Sequence, residues 1–260
     1  MKPSKIIGYA ILASFGGLLI WGMTRPGKIP ATPRIEKSKA DLDRIEQRYE
    51  DRQDAELVRQ LIGENLGDRR FGFGTVMEAA SGKKVLTLRM TDPAHARVHA
   101  AVTKALGEAC TILSQPDSPV RGLRRINEAS RYFEDILLEK LDAQPDLAAT
   151  IPTTQDGRHQ RSGYPDIRIE HEESGTIFYL DPKLVEQSAW ASTLRTFYFE
   201  PKSGSLKITD DAIHLLAGIP HDGKDGAWTF GEAKLIDLSL IHLRLKPEFQ
   251  ASNADLYPEP

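Results

Sequence analysis

The chain has 260 residues with 34 basic and 37 acidic side chains, so no whole-molecule positive field draws it onto nucleic acid and any such contact must come from local patches. Its 40% hydrophobic and 27% charged content is that of a folded protein long enough for one good core. A single cysteine, Cys110, excludes an intrachain disulfide framework and argues against a cysteine metal site; within AVTKALGEACTIL it reads as a small buried hydrophobe.

Residues 6–23 (IIGYAILASFGGLLIWGM) form an uncharged run of 18. At about 1.5 Å per residue that run just crosses a hydrocarbon layer. Lys2 and Lys5 precede it, Arg25 and Pro26 end it, and Trp21 stands where an interfacial aromatic would. The expectation is a membrane anchor over residues 1–23 and a single-pass membrane protein. The competing reading is a cleaved signal peptide, opposed by the length of the run and the lack of an A-x-A site. Arg25, Lys28, Arg34, Lys37 and Lys39 crowd the far side, which leans toward a cytoplasmic place for the remainder of the chain.

Residues 24–66 read as linker and stalk. RPGKIPATPR holds three prolines and should be extended. Residues 36–66 are a highly charged helix, in which Leu42 and Tyr49 continue a seven-residue spacing from Ile35. Such a stalk is solvated, or pairs with a second copy as a homodimer.

Residues 67–260 make the main domain. Residues 70–90 read as a hairpin whose second arm, KKVLTLRM, puts Leu86, Leu88 and Met90 on one face. Gly72-Phe73-Gly74 lacks the rest of any phosphate-loop pattern and supplies backbone freedom. Residues 92–113 form a helix capped at Asp92 with Pro93 in its first turn. His95 and His99 share a face there at a metal-ligand spacing, but Ala96 stands where a metalloprotease has Glu. Residues 120–143 form a second helix with a stripe of Ile126, Ala129, Phe133, Ile136, Leu137 and Leu141; Glu134 lies at its edge. Strands are expected at 148–152, 164–170, 176–184 and 195–200. A helix is expected at 209–217, opened by Asp210 and Asp211, and strands at 228–230 and 235–245. The order is α/β (α+β).

The stretch SGYPDIRIEHEESGTIFYLDPKLVE (162–186) carries the chemistry. On its first arm Asp166 and Arg168 share a face, opposite Ile167 and Ile169; on the second, Asp181 and Lys183 share one, opposite Leu180 and Leu184. A turn of two residues at 173–174, or of four at 172–175, has the same centre and sets Asp166 opposite Asp181, about 5 Å apart at Cβ. Two carboxylates so placed repel. A hard divalent cation compensates them, since Mg²⁺ binds oxygen donors and takes one or two carboxylates together with substrate phosphate.

Tyr164-Pro165-Asp166, followed 15 residues on by Asp181-Pro182-Lys183, resembles the signature of the PD-(D/E)xK nuclease superfamily. Glu134, in YFEDILLEKL, matches the acidic residue that this superfamily carries on the preceding helix, with Glu128 as the fallback. LRTFYFEPKSG, HLLAGI and LKPEFQASNADLY are similar to segments of restriction-endonuclease-like proteins, and the resemblance runs over about residues 124–257. It implies a restriction-endonuclease-like mixed sheet flanked by helices. It also implies Mg²⁺ (or Mn²⁺) held by Asp166, Asp181, the Pro182 backbone carbonyl and Glu134, with Lys183 positioning or deprotonating the attacking water. The implied activity is hydrolysis of DNA phosphodiesters, here by a membrane-anchored, Mg-dependent endonuclease. A membrane anchor is atypical of restriction enzymes.

The bland readings stay beside this one. Asp-Pro is a common loop element, and a Pro-Asp dipeptide also occurs at 116–117 and 145–146 without chemistry attached. The alternative function is a noncatalytic membrane-tethered scaffold or binding protein on a nuclease-like fold. For DNA contact the candidates are Arg158, Arg161 and Arg168, with His159 in the same polar loop; Arg195, Lys202 and Lys207 are further groove residues.

Overall fold

The computed structural model describes residues 38–200, 206–246, 248–252 and 256, in two compact units, Met1–Arg59 and Gln60–Pro260. What is described of the first is most of α1 (Lys39–Gly63). Its described side chains are exposed or, at Ala55 and Val58, half-buried, as a charged sequence dictates. The expectation of a single-pass membrane protein does not stand. Among the described residues no helix is long and apolar enough to cross a membrane, and the span expected at 6–23 lies outside the described residues.

The second unit is a mixed α/β domain. α2 (Phe73–Ser81), α3 (Pro93–Leu113) and α4 (Ser130–Asp142) accompany a six-stranded sheet. Its strands are β2 (Val85–Leu86), β3 (Leu147–Thr150), β4 (Ile167–His171), β5 (Thr176–Glu186), β6 (Ala212–His221) and β7 (Lys234–Asp237), in the order β2-β6-β5-β4-β3 with β7 also on β6. A small ladder joins β1 (Phe71–Gly72) to β8 (His242–Leu243). β3, β4 and β5 are antiparallel, whereas β5 and β6 run parallel over ten paired residues.

Alternation along the strands sorts the core into two clusters. Ile167, Ile169, Phe178 and Leu180 face α3 and α4, where Val98, Leu106, Phe133, Leu137 and Leu141 meet them. Ile177, Tyr179 and Leu216 face Phe73 and Met77 of α2, with Tyr164, Leu206 and Ile208. Full burial of each large apolar side chain contributes about 1.5–3 kcal/mol. α3 starts as its sequence demands: the Asp92 carboxylate accepts from Ala94 N at 2.9 Å and His95 N at 3.3 Å, and Pro93 occupies the first turn.

The second expected helix starts late. Residues 126–129 are a 3-10 turn and α4 begins at Ser130. Several expected elements have another form, among them residues 228–230, where only Phe230 makes an isolated bridge, to His221. Residues 70–90 are not a hairpin, because Phe73 and Met77 recur at helical spacing and are buried together on α2. Residues 195–200 form no strand; Phe197 and Phe199 turn inward onto Phe73 and Tyr164 without a ladder. The helix expected at 209–217 is instead β6, all ten of whose residues are buried. A strand covered on both faces has a continuous apolar run rather than an alternating one, and such a run imitates a buried helix. Asp210 and Asp211 cap nothing there: Asp211 accepts from Lys84 N at 2.7 Å, and Asp210 binds Tyr179 and Arg168.

Candidate active site

The β4–β5 ladder pairs Ile167 with Leu180, Arg168 with Tyr179 and His171 with Thr176, closed by a four-residue turn in which Gly175 takes φ 66°. This is the register expected from the sequence, and Asp166 and Asp181 come next beyond its end. Pro182 falls where β4 no longer pairs with β5, so on that side its missing N–H leaves no acceptor wanting.

Lys183 is the hub. Its Nζ stands 2.6 Å from Asp181 Oδ2 and 3.6 Å from Asp166 Oδ2, and it donates to the Pro182 carbonyl at 3.5 Å. One ammonium therefore touches both carboxylates and the carbonyl. Asp181 is 1% exposed. Its Oδ2 has the Lys183 ammonium, at 2.6 Å, as its ion-pair partner. Burial pushes the Asp181 carboxyl up to about 7, against the Lys183 charge and with that of Asp166. Burial alone would pull the Lys183 ammonium down, but the two aspartates outweigh it and hold its pKa above the ordinary lysine value.

Glu134 comes from α4, beside Phe133, which anchors the helix in the core. Burial, then the Asp166 charge, raises its carboxyl to about 7 against the pull of Arg161 and Lys183. Arg161 Nη1 is 3.8 Å from Glu134 Oε2, and its Nη2 donates to Asp135 at 2.8 Å. Among the described residues no three His, Cys, Asp or Glu side chains form a ready cation cage. The oxygen set around Lys183 is thus Asp166, Asp181 and the Pro182 carbonyl, with Glu134 acting on it through its charge. These are hard donors of the kind magnesium takes. The lysine cation already among them, 2.6 Å from the buried Asp181 Oδ2, shows that the set accommodates positive charge. Glu128 lies exposed on the 3-10 turn before α4.

Arg158, Arg161 and Arg168, named for DNA contact, all have acidic partners. Arg158 pairs with Asp156 at 2.6 Å on the surface. Arg168 is held by Asp210 at 3.1 Å and Glu170 at 2.9 Å, in a network with Tyr179 and Thr209. Arg195 lies 4.4 Å over the Tyr198 ring, and Lys202 lies outside the described residues. His95 accepts from Arg89 N through Nδ1 at 3.0 Å and packs edge-on against Phe178, a structural role.

Two features escape a reading of the sequence. Lys207 is not a groove residue: it is fully buried and donates to the Arg161 carbonyl at 3.2 Å. Burial lowers its pKa, opposed by Asp166, Asp181 and Glu134. Tyr164, two residues before Asp166, shares a 2.7 Å hydrogen bond with His214 Nδ1 on β6. Burial drives the His214 pKa down to about 3, and its Nε2 has no partner. The signal for both is a polar residue inside an apolar run, LKI and IHLL.

The model of the type II restriction enzyme MjaV family matches residues 66–260, a span that contains Glu134, Asp166, Asp181, Lys183 and Lys207. The type II restriction enzyme MjaV of Methanocaldococcus jannaschii is 26% identical over 202 residues, covering 72% of this chain and 85% of that enzyme. This chain therefore belongs to the type II restriction enzyme MjaV family.

Proposed function

We propose that this chain is a DNA endonuclease that hydrolyses phosphodiester bonds at the Asp166–Asp181–Lys183 centre with a divalent cation, Mg²⁺ or Mn²⁺, in the manner of the PD-(D/E)xK nucleases. Family membership supports the endonuclease activity. The observation that carries the site assignment is the single ammonium within reach of Asp166 Oδ2, Asp181 Oδ2 and the Pro182 carbonyl. A cation drawn to the same oxygens would be held by two carboxylates and a carbonyl, with Glu134 near enough to add charge. When bound, it supplies neutralisation of the phosphate and a lower pKa for a coordinated water.

The chain's own groups do the rest. Asp181 is fixed in β5 by its pairing with β6 and Asp166 directly precedes β4, so their oxygens are in place before substrate arrives. Lys183, 27% exposed at the side chain, is the group that reaches outward. Once the carboxylate charge is compensated, the field that holds its ammonium protonated weakens. As an ammonium Lys183 orients the water that attacks phosphorus, and once it has released its own proton to solvent it can take one from that water. Arg158 is exposed and its pair with Asp156 is solvated, so it is free to exchange that partner for a phosphate. Arg168, tied to two carboxylates, serves the fold instead.

The test is plasmid cleavage by the full chain in Mg²⁺ or Mn²⁺. Asp181→Ala and Asp166→Ala should each lower the rate on the order of 10³-fold, equivalent to about 4 kcal/mol of transition-state stabilisation. Equal cleavage by wild type and both variants would remove this centre from the chemistry.

A further inference from the structure

The sheet face that carries Asp181 and Lys183 continues over two more strands. Lys183 on β5 pairs with Gly218 on β6, and Gly218 pairs with Lys234 on β7. Paired residues project to the same side: Ile177 and Ala212 meet in one core cluster, Phe178 and Ile213 in the other. Two lysines therefore flank a glycine on the face of the candidate centre, roughly 10 Å apart at Cα by the spacing of strands.

Trp190 fills the space that the glycine leaves. It follows the 3-10 turn Gln187–Ala189 at the end of β5. The outer rim of its six-membered ring, Cη2 and Cζ3, lies 3.3 and 3.6 Å from where a Cβ on Gly218 would stand. Lys234 Nζ lies over the ring, 4.6 Å from its centre. The indole thus rests on the sheet beside the strand that bears Lys183, and yet it is 36% exposed, whereas Trp228 is 1% exposed. Lys234 is exposed too. Among the described residues no carboxylate stands within ion-pair reach of it, unlike Arg158, Arg161 and Arg168. An uncovered aromatic stacks on any nucleobase, and an ammonium held only by a ring is free to turn to a phosphate. We propose that Trp190 and Lys234 form a DNA subsite beside the cleavage centre. The indole stacks on the nucleobase adjoining the scissile phosphodiester, and Lys234 takes a neighbouring phosphate. A duplex must loosen one base step to offer that face, and the contact with the indole offsets the lost stacking. The subsite rests on the placing of cleavage at Lys183.

The test uses the full chain. The wild type cuts a plasmid in Mg²⁺ or Mn²⁺, the cut is mapped, and a short duplex bearing it becomes the probe. In the Asp181→Asn background, which leaves the duplex intact, adding it should change the indole emission. That change should vanish in Trp190→Phe, in which Trp21 and Trp228 remain. In steady-state cleavage Trp190→Ala should raise KM about tenfold, and Trp190→Phe, which keeps a ring, should recover most of the loss. Lys234→Gln should lower the slope of log affinity against log salt by about 1. If unfolding curves show Trp190→Ala to be damaged, the emission and salt measurements decide. An equal emission change in Trp190→Phe, an unaltered KM in folded Trp190→Ala, or an unaltered salt slope in Lys234→Gln overturns the subsite and leaves the cleavage centre standing. A wild type that cuts no plasmid, or cleavage that persists in Asp181→Asn, overturns the centre itself and the subsite with it.

Discussion

Asp181→Asn should make the metal-free protein more stable at neutral pH while disabling it. The wild-type carboxyl is raised from an ordinary 3.8 to about 7. Between those values the folded chain holds a proton that the unfolded chain has released, so stability is greatest below the lower value and is lost as pH rises through the higher. Each pH unit in that window corresponds to about 1.4 kcal/mol. From pH 5 to about 7 the wild type therefore loses on the order of 2–3 kcal/mol through Asp181, and asparagine has no such proton to lose. His214 and His221, whose lowered pKa values give the opposite slope, are in both proteins and cancel in the difference. So does Glu134. The assay is urea unfolding of both proteins at pH 5, 6, 7 and 8 in chelator. The stability difference should grow in favour of Asp181→Asn up to about pH 7 and then level off. A flat difference, or one growing in favour of the wild type, would mean that the Lys183 attraction outweighs burial and would refute the reasoning.

Added Mg²⁺ at pH 8 should narrow that gap: at a hundred times its dissociation constant it stabilises the wild type by about 2.7 kcal/mol, and Asp181→Asn should gain nothing, as read from unfolding midpoints. Phe133→Ala, at a fully buried position edge-on to Phe230 at 4.8 Å, should cost about 3–5 kcal/mol in urea unfolding; a loss below about 1 kcal/mol would show that α4 is not anchored there. Tyr164→Phe removes the partner of His214 Nδ1 on a ring whose Nε2 already lacks one, and thermal unfolding should show a loss of about 1–3 kcal/mol.

The site is more legible in the sequence than the fold around it. Strand alternation and turn length together determine which residues oppose, and the Ile167–Leu180 pairing is the outcome of that arithmetic. The contact of Lys183 with both aspartates comes with it, because Asp181 and Lys183 share a pleat face. Local signals also place α3, where cap, proline and apolar spacing agree. The failures lie where local signals conflict with tertiary context. HLLAGI has no alternation because both faces of β6 are covered, and two acidic residues just before it imitate a helix start. Phe197 and Phe199 alternate like a strand, yet they alternate because their rings fill a cluster with Tyr164 and His214. Lys207 leaves only a faint signal, a polar residue inside the apolar run LKI, and a solvent-facing lysine on a strand has the same pattern.

β5 is paired with β4 along its first half and with β6 along nearly all of its length. The amides around Asp181 should accordingly exchange with solvent only when the domain unfolds as a whole. The free energy of bringing like charges together is then met once, at folding, by hydrophobic burial elsewhere in the domain. Little reorganisation is left for the moment of encounter, and whatever adapts to a particular DNA must do so in the Lys183 side chain and the segments outside the sheet, where conformation is less constrained.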